Sequence, residues 1–256
     1  MTGETDPTRR LALVGGPDAL PFLQGLVTND VLRLKAPGIV YAALLSPQGK
    51  YLADFFVVNT GDALLLDLPG ALADATLKRL TMYRLRAAVT LAPCDLVVTR
   101  GLGDAPPGAL PDPRHPALGW RAYGAPGSEA PGGAPAIDWA SIRVAHVIPE
   151  TGAELIPDET FILEAGFEAL HGVDFRKGCY VGQEVTARMK HKTELRKGLI
   201  RVNIAGSAPV GTPILLPDGR EAGRLGTQSG GRALAHLRFD RLAGPLTADS
   251  AVITAE

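Results

Sequence analysis

A twelve-residue segment, residues 177–188, constrains the fold of this chain more than any other stretch. It reads Lys-Gly-Cys-Tyr-Val-Gly-Gln-Glu-Val-Thr-Ala-Arg. Gly178 and Gly182 can adopt a positive φ and let other backbone approach closely. Because good helix formers begin at Gln183, we predict that Gly182 ends a turn that leads directly into a helix. The free N–H groups of a helix N-terminus favour an anion or a thiolate beside them.

Cys179 is one of only two cysteines in the chain. The preceding Lys177 and the N–H groups of the neighbouring turn favour the thiolate form. We therefore expect an exposed thiol that reacts before Cys94, which follows a proline on an apolar strand edge. The alternative is that Cys179 is a small buried side chain and that its glycines serve only a tight turn.

Eight fixed positions of this segment match the pattern Lys-Gly-Cys-aromatic-x-Gly-Gln-Glu-x-x-x-Arg. The chain thereby resembles the YgfZ-type folate-binding proteins, which support the maturation of iron–sulfur enzymes. These are relatives of aminomethyltransferase, the T-protein of glycine cleavage. The resemblance implies that Cys179 is a functional thiol. It also implies that cofactor-binding residues include Lys177, Gly178, Tyr180, Gly182, Gln183, Glu184 and Arg188.

Two further segments carry the same resemblance. Residues 163–166, Leu-Glu-Ala-Gly, are similar to the aminomethyltransferase segment whose glutamate binds the pterin. A carboxylate can accept two N–H bonds from a pterin, so the resemblance implies that Glu164 binds this ring. Residues 22–30 end in Thr-Asn-Asp and resemble an N-terminal hallmark of the family. There Asn29 is either a ligand or only a turn residue.

One departure from the aminomethyltransferase pattern bears on catalysis. The T-protein has its catalytic acid in a Gly-Gly-x-x-Asp-Asp type stretch, which residues 49–54, Gly-Lys-Tyr-Leu-Ala-Asp, match only in part. Ala53 replaces one acid, and Asp54 is the remaining catalytic candidate. This departure predicts that aminomethyl transfer is absent or weak. The rival hypotheses are a folate-dependent aminomethyltransferase or methyltransferase, and a scaffold that has lost folate.

Composition excludes several other classes of protein. The formal net charge is -1, so the chain has no overall field for polyanions, and we do not expect direct nucleic-acid binding. A basic cluster in residues 176–201 is interpreted as a solvated face, a site for a folate tail or a surface for a protein partner. No dinucleotide, P-loop or zinc motif is present. No apolar run approaches the ~20 residues of a membrane span. The first six residues contain two acids and no leader pattern, so we expect a cytoplasmic protein.

The pattern of apolar residues predicts an α+β fold. Strands are predicted over residues 40–45 and 51–59, a helix over 72–85, and a β-rich small barrel or sandwich after 193. Asp18 is predicted to cap the first helix. Residues 101–136 are rich in proline and glycine, which predicts a linker or a surface excursion.

The resemblance implies a three-domain aminomethyltransferase-like cloverleaf around a central channel, with a C-terminal small β-barrel. Its first domain would be discontinuous, over residues 1–46 and 138–192. The second would span 47–137, and the barrel 193–256. The implied function is a tetrahydrofolate-binding accessory protein for iron–sulfur cluster assembly or repair. It would support enzymes such as those that thiolate tRNA, with iron–sulfur client or carrier proteins as partners. A transient cluster would then be shared with a partner.

Overall fold

The computed structural model describes residues 2–127, 137–192, 194–242 and 244–256. The end of the proline- and glycine-rich stretch, residues 128–136, lies outside the described residues. The chain divides into two compact units. Unit 1 comprises Met1–Ile137 and Glu168–Gln183, and unit 2 comprises Asp138–Phe167 and Glu184–Glu256. The three-domain division and the central channel implied by the resemblance stay predictions.

The described part of unit 1 contains nine strands, two α-helices and a short 3₁₀ helix at Pro116–Leu118. In chain order the strands and α-helices are β1 (Thr2–Thr5), β2 (Arg9–Gly15), α1 (Ala19–Gln24), β3 (Gly38–Leu45), β4 (Tyr51–Asn59), β5 (Leu64–Pro69), α2 (Gly70–Tyr83), β6 (Thr90–Pro93), β7 (Val97–Leu102), β8 (Leu110–Pro111) and β9 (Trp120–Gly124). They form a five-stranded antiparallel sheet in the order β3-β4-β5-β2-β6 and a four-stranded sheet in the order β1-β7-β9-β8.

The core of unit 1 lies on the five-stranded sheet. Strand β4 is buried along almost its whole length, because its sequence is an apolar run rather than an alternation. Helix α2 buries Ala73, Thr76 and Leu80, spaced three and four residues apart as one helix face requires. Asp18 makes no side-chain cap on α1, which corrects the prediction. Its carboxylate instead accepts a hydrogen bond from the backbone N–H of Ala88, 2.8 Å away.

A buried ionic cluster links the two sheets of unit 1. Asp67 on β5 is fully buried and accepts hydrogen bonds from Arg9 on β2 and Arg121 on β9, each at 2.7 Å. The hydroxyl of Tyr123 also donates to this carboxylate, at 3.0 Å. The Arg121 guanidinium lies 4.4 Å from the centre of the Phe56 ring. Burial alone would raise the pKa of Asp67, but the two guanidiniums outweigh it and hold that pKa below its usual value.

Unit 2 combines a closed barrel with helical and irregular segments. Its elements are α3 (Trp139–His146), α4 (Gln183–Lys192, whose first residue belongs to unit 1), β10 (Lys197–Ala205), β11 (Pro213–Leu215), β12 (Glu221–Ser229), β13 (Arg232–Arg238), β14 (Leu246–Ala248) and β15 (Ala251–Ala255). The six strands close in the order β10-β13-β12-β11-β14-β15. Inward residues such as Val202, Leu225 and Ile253 are buried and form its core.

Several predicted elements agree with the structure. Strand β4 covers the predicted residues 51–59, and the predicted helix start at Gln183 is that of α4. The C-terminal β-rich region is a barrel rather than a sandwich. The short strands β1, β8, β14 and β15 were not predicted. Among the described residues, no helix has the length and apolar composition needed to cross a membrane.

Candidate functional site

A cavity of about 390 Å³ lies within unit 2, where the barrel meets the irregular segment before residue 165. Its size falls within the range of small-molecule sites in proteins. Its walls combine apolar side chains with several charged groups. Its lining includes Glu154, Ile156, Glu164, Lys197, Leu225 and His236.

Glu164 presents a mostly buried carboxylate to this cavity, with its side chain 9% exposed. Its backbone oxygen accepts a hydrogen bond from Leu199 N–H at 2.7 Å, which fixes the residue against β10. Lys197 Nζ and His236 Nε2 each lie 3.4 Å from the same carboxylate oxygen, Oε2. Both side chains make their closest approach to Oε2 rather than to Oε1. Glu164 can therefore accept further N–H bonds from a ligand.

Glu154, which the sequence analysis did not single out, supports the wall of the same cavity. Its carboxylate accepts hydrogen bonds from the backbone N–H groups of Thr227, at 2.6 Å, and Glu150, at 2.9 Å. Gly226 leaves room for it, since an added Cβ there would lie 2.5 Å from Glu154 Oε1. The register between β12 and β13 shifts between Leu225 and Gln228, so Thr227 is outside the regular pairing and its N–H can bind Glu154. No local sequence pattern signals this role.

In unit 1, Lys177 is directed toward the end of α1. Its ammonium group donates hydrogen bonds to the backbone oxygens of Gln24, at 2.7 Å, and Val27. It also lies 5.0 Å from the ring centre of the buried Tyr180. Burial lowers the pKa of Lys177 to about 8. Lys177 thus satisfies one carbonyl group in the last turn of α1 and one just beyond it, which sequence spacing could not show.

The cysteine segment has the exposure that was expected. Cys179 is exposed, whereas Cys94 is only half-buried. Gly178 is also exposed, and an added Cβ there would meet no atom within 4 Å. Gly182 differs, because its φ is +83° and an added Cβ would lie 2.6 Å from the backbone oxygen of Ser46. The fold therefore requires glycine at position 182 but not at position 178.

Helix α4 carries the remaining residues of the segment. Gln183 is its first residue, and Glu184 lies in the first turn, where a carboxylate is favoured by the helix dipole. Glu184 and Arg188 are both exposed and stand four residues apart on one face, whereas Thr186 is buried. Their proposed part in cofactor binding stays a prediction.

Asn29 and Asp54 both make hydrogen bonds within the protein that give each side chain a structural role. The Asn29 amide donates to the backbone oxygens of Tyr41, at 2.8 Å, and His171, at 2.6 Å. Asp54 is 4% exposed. Its two oxygens accept hydrogen bonds from the hydroxyls of Tyr41, at 3.0 Å, and Tyr51, at 2.7 Å. The neighbouring Ala53 is fully buried in the core. A ligand role for Asn29 and a catalytic role for Asp54 stay predictions.

Among the described residues, no three His, Cys, Asp or Glu side chains are grouped so that they could hold a metal ion. Of the ion pairs among the described residues, Glu164 with Lys197 and Glu221 with Arg224 line the cavity, and the Glu164 side chain is the more buried of the two carboxylates.

Comparison with solved structures identifies the fold. The chain is similar to a glycine cleavage system aminomethyltransferase T from Bartonella henselae, with a TM-score of 0.74 and 15% identity. The match covers 99% of this chain and 84% of that one. The predicted α+β aminomethyltransferase-like fold with a C-terminal barrel is thereby confirmed. Residues 196–256 match the family model described as CAF17, C-terminal beta-barrel domain.

Comparison with curated proteins identifies relatives across almost the whole chain. The human protein named "Iron-sulfur cluster assembly factor IBA57, mitochondrial" is 31% identical, over 93% of this chain and 78% of its own length. The mouse protein of the same name is 32% identical, with the same coverage. The resemblance to iron–sulfur assembly factors built on the aminomethyltransferase fold therefore agrees with these relatives. The finer assignment to the YgfZ type stays a prediction.

The expected cytoplasmic location is contradicted by these relatives, which are named as mitochondrial proteins. That expectation rested on the acidic start of the chain. In the structure, Thr2–Thr5 form β1 and pair with β7, so their composition reflects a folded strand and carries no information about location. On sequence identity and coverage, the chain belongs to the family of the iron–sulfur cluster assembly factor IBA57.

Proposed function

We propose that this protein is an accessory factor for iron–sulfur cluster assembly or repair that binds tetrahydrofolate or a derivative of it. The observation that carries the folate part is the Glu164 carboxylate, which is mostly buried and faces a cavity of about 390 Å³. Lys197 and His236 make their closest approach to Oε2, so Oε1 is the oxygen better placed to accept from a ligand. The cluster part is supported by the names of the relatives and by the exposed thiol of Cys179.

The residues around the cavity fit a reduced pterin. A pterin offers a 2-amino group and an adjacent ring N–H side by side, and a carboxylate can accept both bonds. Ile156 and Leu225 supply apolar surface for the ring. Lys197 is 43% exposed and the His236 side chain 28% exposed, so both pair with Oε2 from the solvent side. When bound, the folate would supply a one-carbon carrier, and Glu164 would orient its pterin.

The cluster is the cargo of the proposed function rather than a resident cofactor. Clusters are usually held by four protein ligands, and this chain offers one exposed thiol in Cys179. A cluster contacting Cys179 would therefore be shared with an iron–sulfur carrier or client protein. Clients of this kind include enzymes that thiolate tRNA.

The rival function is a folate-dependent aminomethyltransferase or methyltransferase. The fold favours it, since the solved relative is named as an aminomethyltransferase. The local geometry favours the accessory role instead. Ala53 is buried where the family pattern has an acid, and both oxygens of Asp54 already accept bonds from tyrosine hydroxyls.

Calorimetry with tetrahydrofolate under anaerobic conditions tests the folate part. Glu164→Gln should weaken binding by about 1.5–3 kcal/mol, because a charged acceptor of a hydrogen bond is lost. That corresponds to roughly 10- to 150-fold in Kd. Glu221→Gln is the matched control, since Glu221 lines the same cavity but is 52% exposed. Equal affinity of the Glu164 variant and the parent would refute the Glu164 assignment, and no binding by the parent would refute folate binding altogether.

A further inference from the structure

The end of helix α2 forms a surface that neither the core nor the proposed site uses. We define this α2-end surface by two apolar and four basic exposed side chains. They are Lys78, Arg79, Met82, Arg84, Leu85 and Arg86. Leu85 is 89% exposed and Met82 is 69% exposed, the two highest values among the large apolar side chains of the described residues. Exposed apolar groups of this size, ringed by charge, mark interaction sites.

The backbone of Leu85 lies in the left-handed region, where a residue with a Cβ is strained. Helix α2 ends at Tyr83 with Arg84 as its C-cap, and Leu85 follows with φ +45°. This is the position where helices usually place glycine or asparagine, because a Cβ is strained in the left-handed region. Leu85 therefore gains neither a relaxed backbone nor burial within this chain. We expect an apolar residue that is both strained in its backbone and exposed to solvent to contact a molecule outside the chain.

The basic side chains around Leu85 and Met82 are not neutralised. Residues 78–86 contain four cations and no acid, although the whole chain has 26 basic and 27 acidic residues. Within the described part of the chain, none of these four cations has a carboxylate partner. The Arg84 side chain donates to the backbone oxygen of Val89, at 3.3 Å, rather than to a carboxylate. The surface therefore carries a local charge of +4, which favours a partner of opposite charge.

The α2-end surface is also preorganised, because its backbone is held by contacts within unit 1. The opposite face of α2 buries Ala73, Thr76 and Leu80 in the core of unit 1. Beyond the helix, the backbone oxygen of Arg84 accepts a hydrogen bond from Ala87 N–H at 2.8 Å, and Asp18 holds the N–H of Ala88. Leu85 and Met82 are thus displayed on a rigid support, which reduces the entropy lost on binding.

We propose that the α2-end surface docks onto the acidic face of a partner protein, with Leu85 and Met82 entering a small apolar depression ringed by carboxylates. Three of the four cations are arginines, the cation enriched in protein interfaces, where lysine is depleted. RNA would require exposed aromatic side chains for stacking, and the only aromatic one here, Tyr83, is half-buried. A membrane surface would require a longer apolar face than two side chains provide.

Site-specific photocrosslinking in the native host tests the proposal on the full chain. A benzoylphenylalanine at position 82 should form a covalent adduct with a protein that carries an acidic surface patch. The same adduct should be lost when Arg84→Glu and Arg86→Glu are combined in that chain. Absence of a protein adduct, or adducts formed only with lipid or RNA, would overturn the proposal.

The partner identified in this way is then purified and titrated directly. The chain has three methionines, so selective labelling of methionine methyl groups gives a simple spectrum in which the Met82 signal should shift and the Met189 signal should not. Leu85→Asn should weaken binding at least about tenfold, as for the loss of an interface anchor. Its melting temperature should not fall, because asparagine tolerates the left-handed backbone.

Two controls keep the result specific. Leu32→Asn removes another exposed leucine, 55% exposed in a loop of the same unit, and should leave binding unchanged. Raising NaCl from about 50 to about 500 mM should weaken binding to the parent chain but not further weaken the double arginine variant. The proposal is wrong if Leu85→Asn binds as tightly as the parent. It is also wrong if vesicles of about three parts phosphatidylcholine to one part phosphatidylserine compete with the partner for this surface.

Discussion

Gly182 packs so closely against Ser46 that a Cβ on the glycine would lie 2.6 Å from the serine backbone oxygen. The same Cβ would lie 2.9 Å from the Cβ of Leu45. Within unit 1, the turn that contains Gly182 thus packs tightly against the turn between β3 and β4. Gly182 therefore has a structural reason to be glycine, whereas Gly178 has none of this kind.

Gly182→Ala should therefore destabilise the protein by about 2–4 kcal/mol, because a left-handed φ and a close backbone contact both penalise a Cβ. Gly178→Ala is the matched control, since a Cβ there meets no atom within 4 Å, and it should change stability by less than about 1 kcal/mol. Urea unfolding of both variants measures the difference. Equal midpoints for the two would contradict this account of the segment.

Cys179 should react with iodoacetamide under native conditions before Cys94, because Cys179 is exposed and Cys94 is half-buried. Mass spectrometry after brief labelling reports the order. Cys179→Ser should leave the fold and tetrahydrofolate binding nearly intact, yet fail to support iron–sulfur enzymes in cells. Cys94→Ser is the control and should support them. If the Cys179 variant supports these enzymes fully, the thiol is only structural.

Aminomethyltransferase activity should be absent or very weak. The reason is that Ala53 replaces an acid and Asp54 is enclosed by Tyr41 and Tyr51. The measurement is turnover of aminomethylated lipoyl carrier protein with tetrahydrofolate. The aminomethyltransferase T from Bartonella henselae serves as the positive control. Comparable turnover by the two proteins would move this chain into the enzyme class.

Asp67→Asn should destabilise unit 1 by about 3–5 kcal/mol at pH 7, because Arg9 and Arg121 would remain buried without their carboxylate. Asp74→Asn is the control. Its pair with Arg10 is exposed, and the loss should not exceed about 1 kcal/mol. Unfolding curves in urea give both values.

The pH dependence of the same variant follows from the lowered pKa of Asp67. A carboxyl group whose folded pKa lies below its unfolded value stabilises the protein above the unfolded pKa of ~3.9, and this contribution is lost as the pH falls through the folded pKa. The difference between the parent and Asp67→Asn should therefore be constant near neutral pH and shrink below about pH 4. A difference that stays unchanged in acid would show that the carboxylate charge is not what stabilises the cluster.

Local sequence patterns were sufficient for the longer regular elements. The apolar run of residues 51–59 gave β4, and the change from glycine to good helix formers at Gln183 gave the start of α4. Period and propensity act over a few neighbouring residues, so they can be recognised without knowing the fold. The short strands β14 and β15 were missed, because three to five residues carry too little pattern and form only when the barrel closes.

The partners of individual side chains were decided only by the tertiary structure. Lys177 is only two residues before Cys179 in sequence, yet its ammonium group binds the backbone oxygens of Gln24 and Val27, some 150 residues earlier in the chain. Glu154 accepts a hydrogen bond from the backbone N–H of Thr227, which lies 73 residues later in the chain. A buried charge must take whichever polar group the packed chain brings within about 3 Å, because an unpaired one is too costly in the interior. The sequence determined which charges and glycines were available, and the packing of distant segments determined which groups they contact.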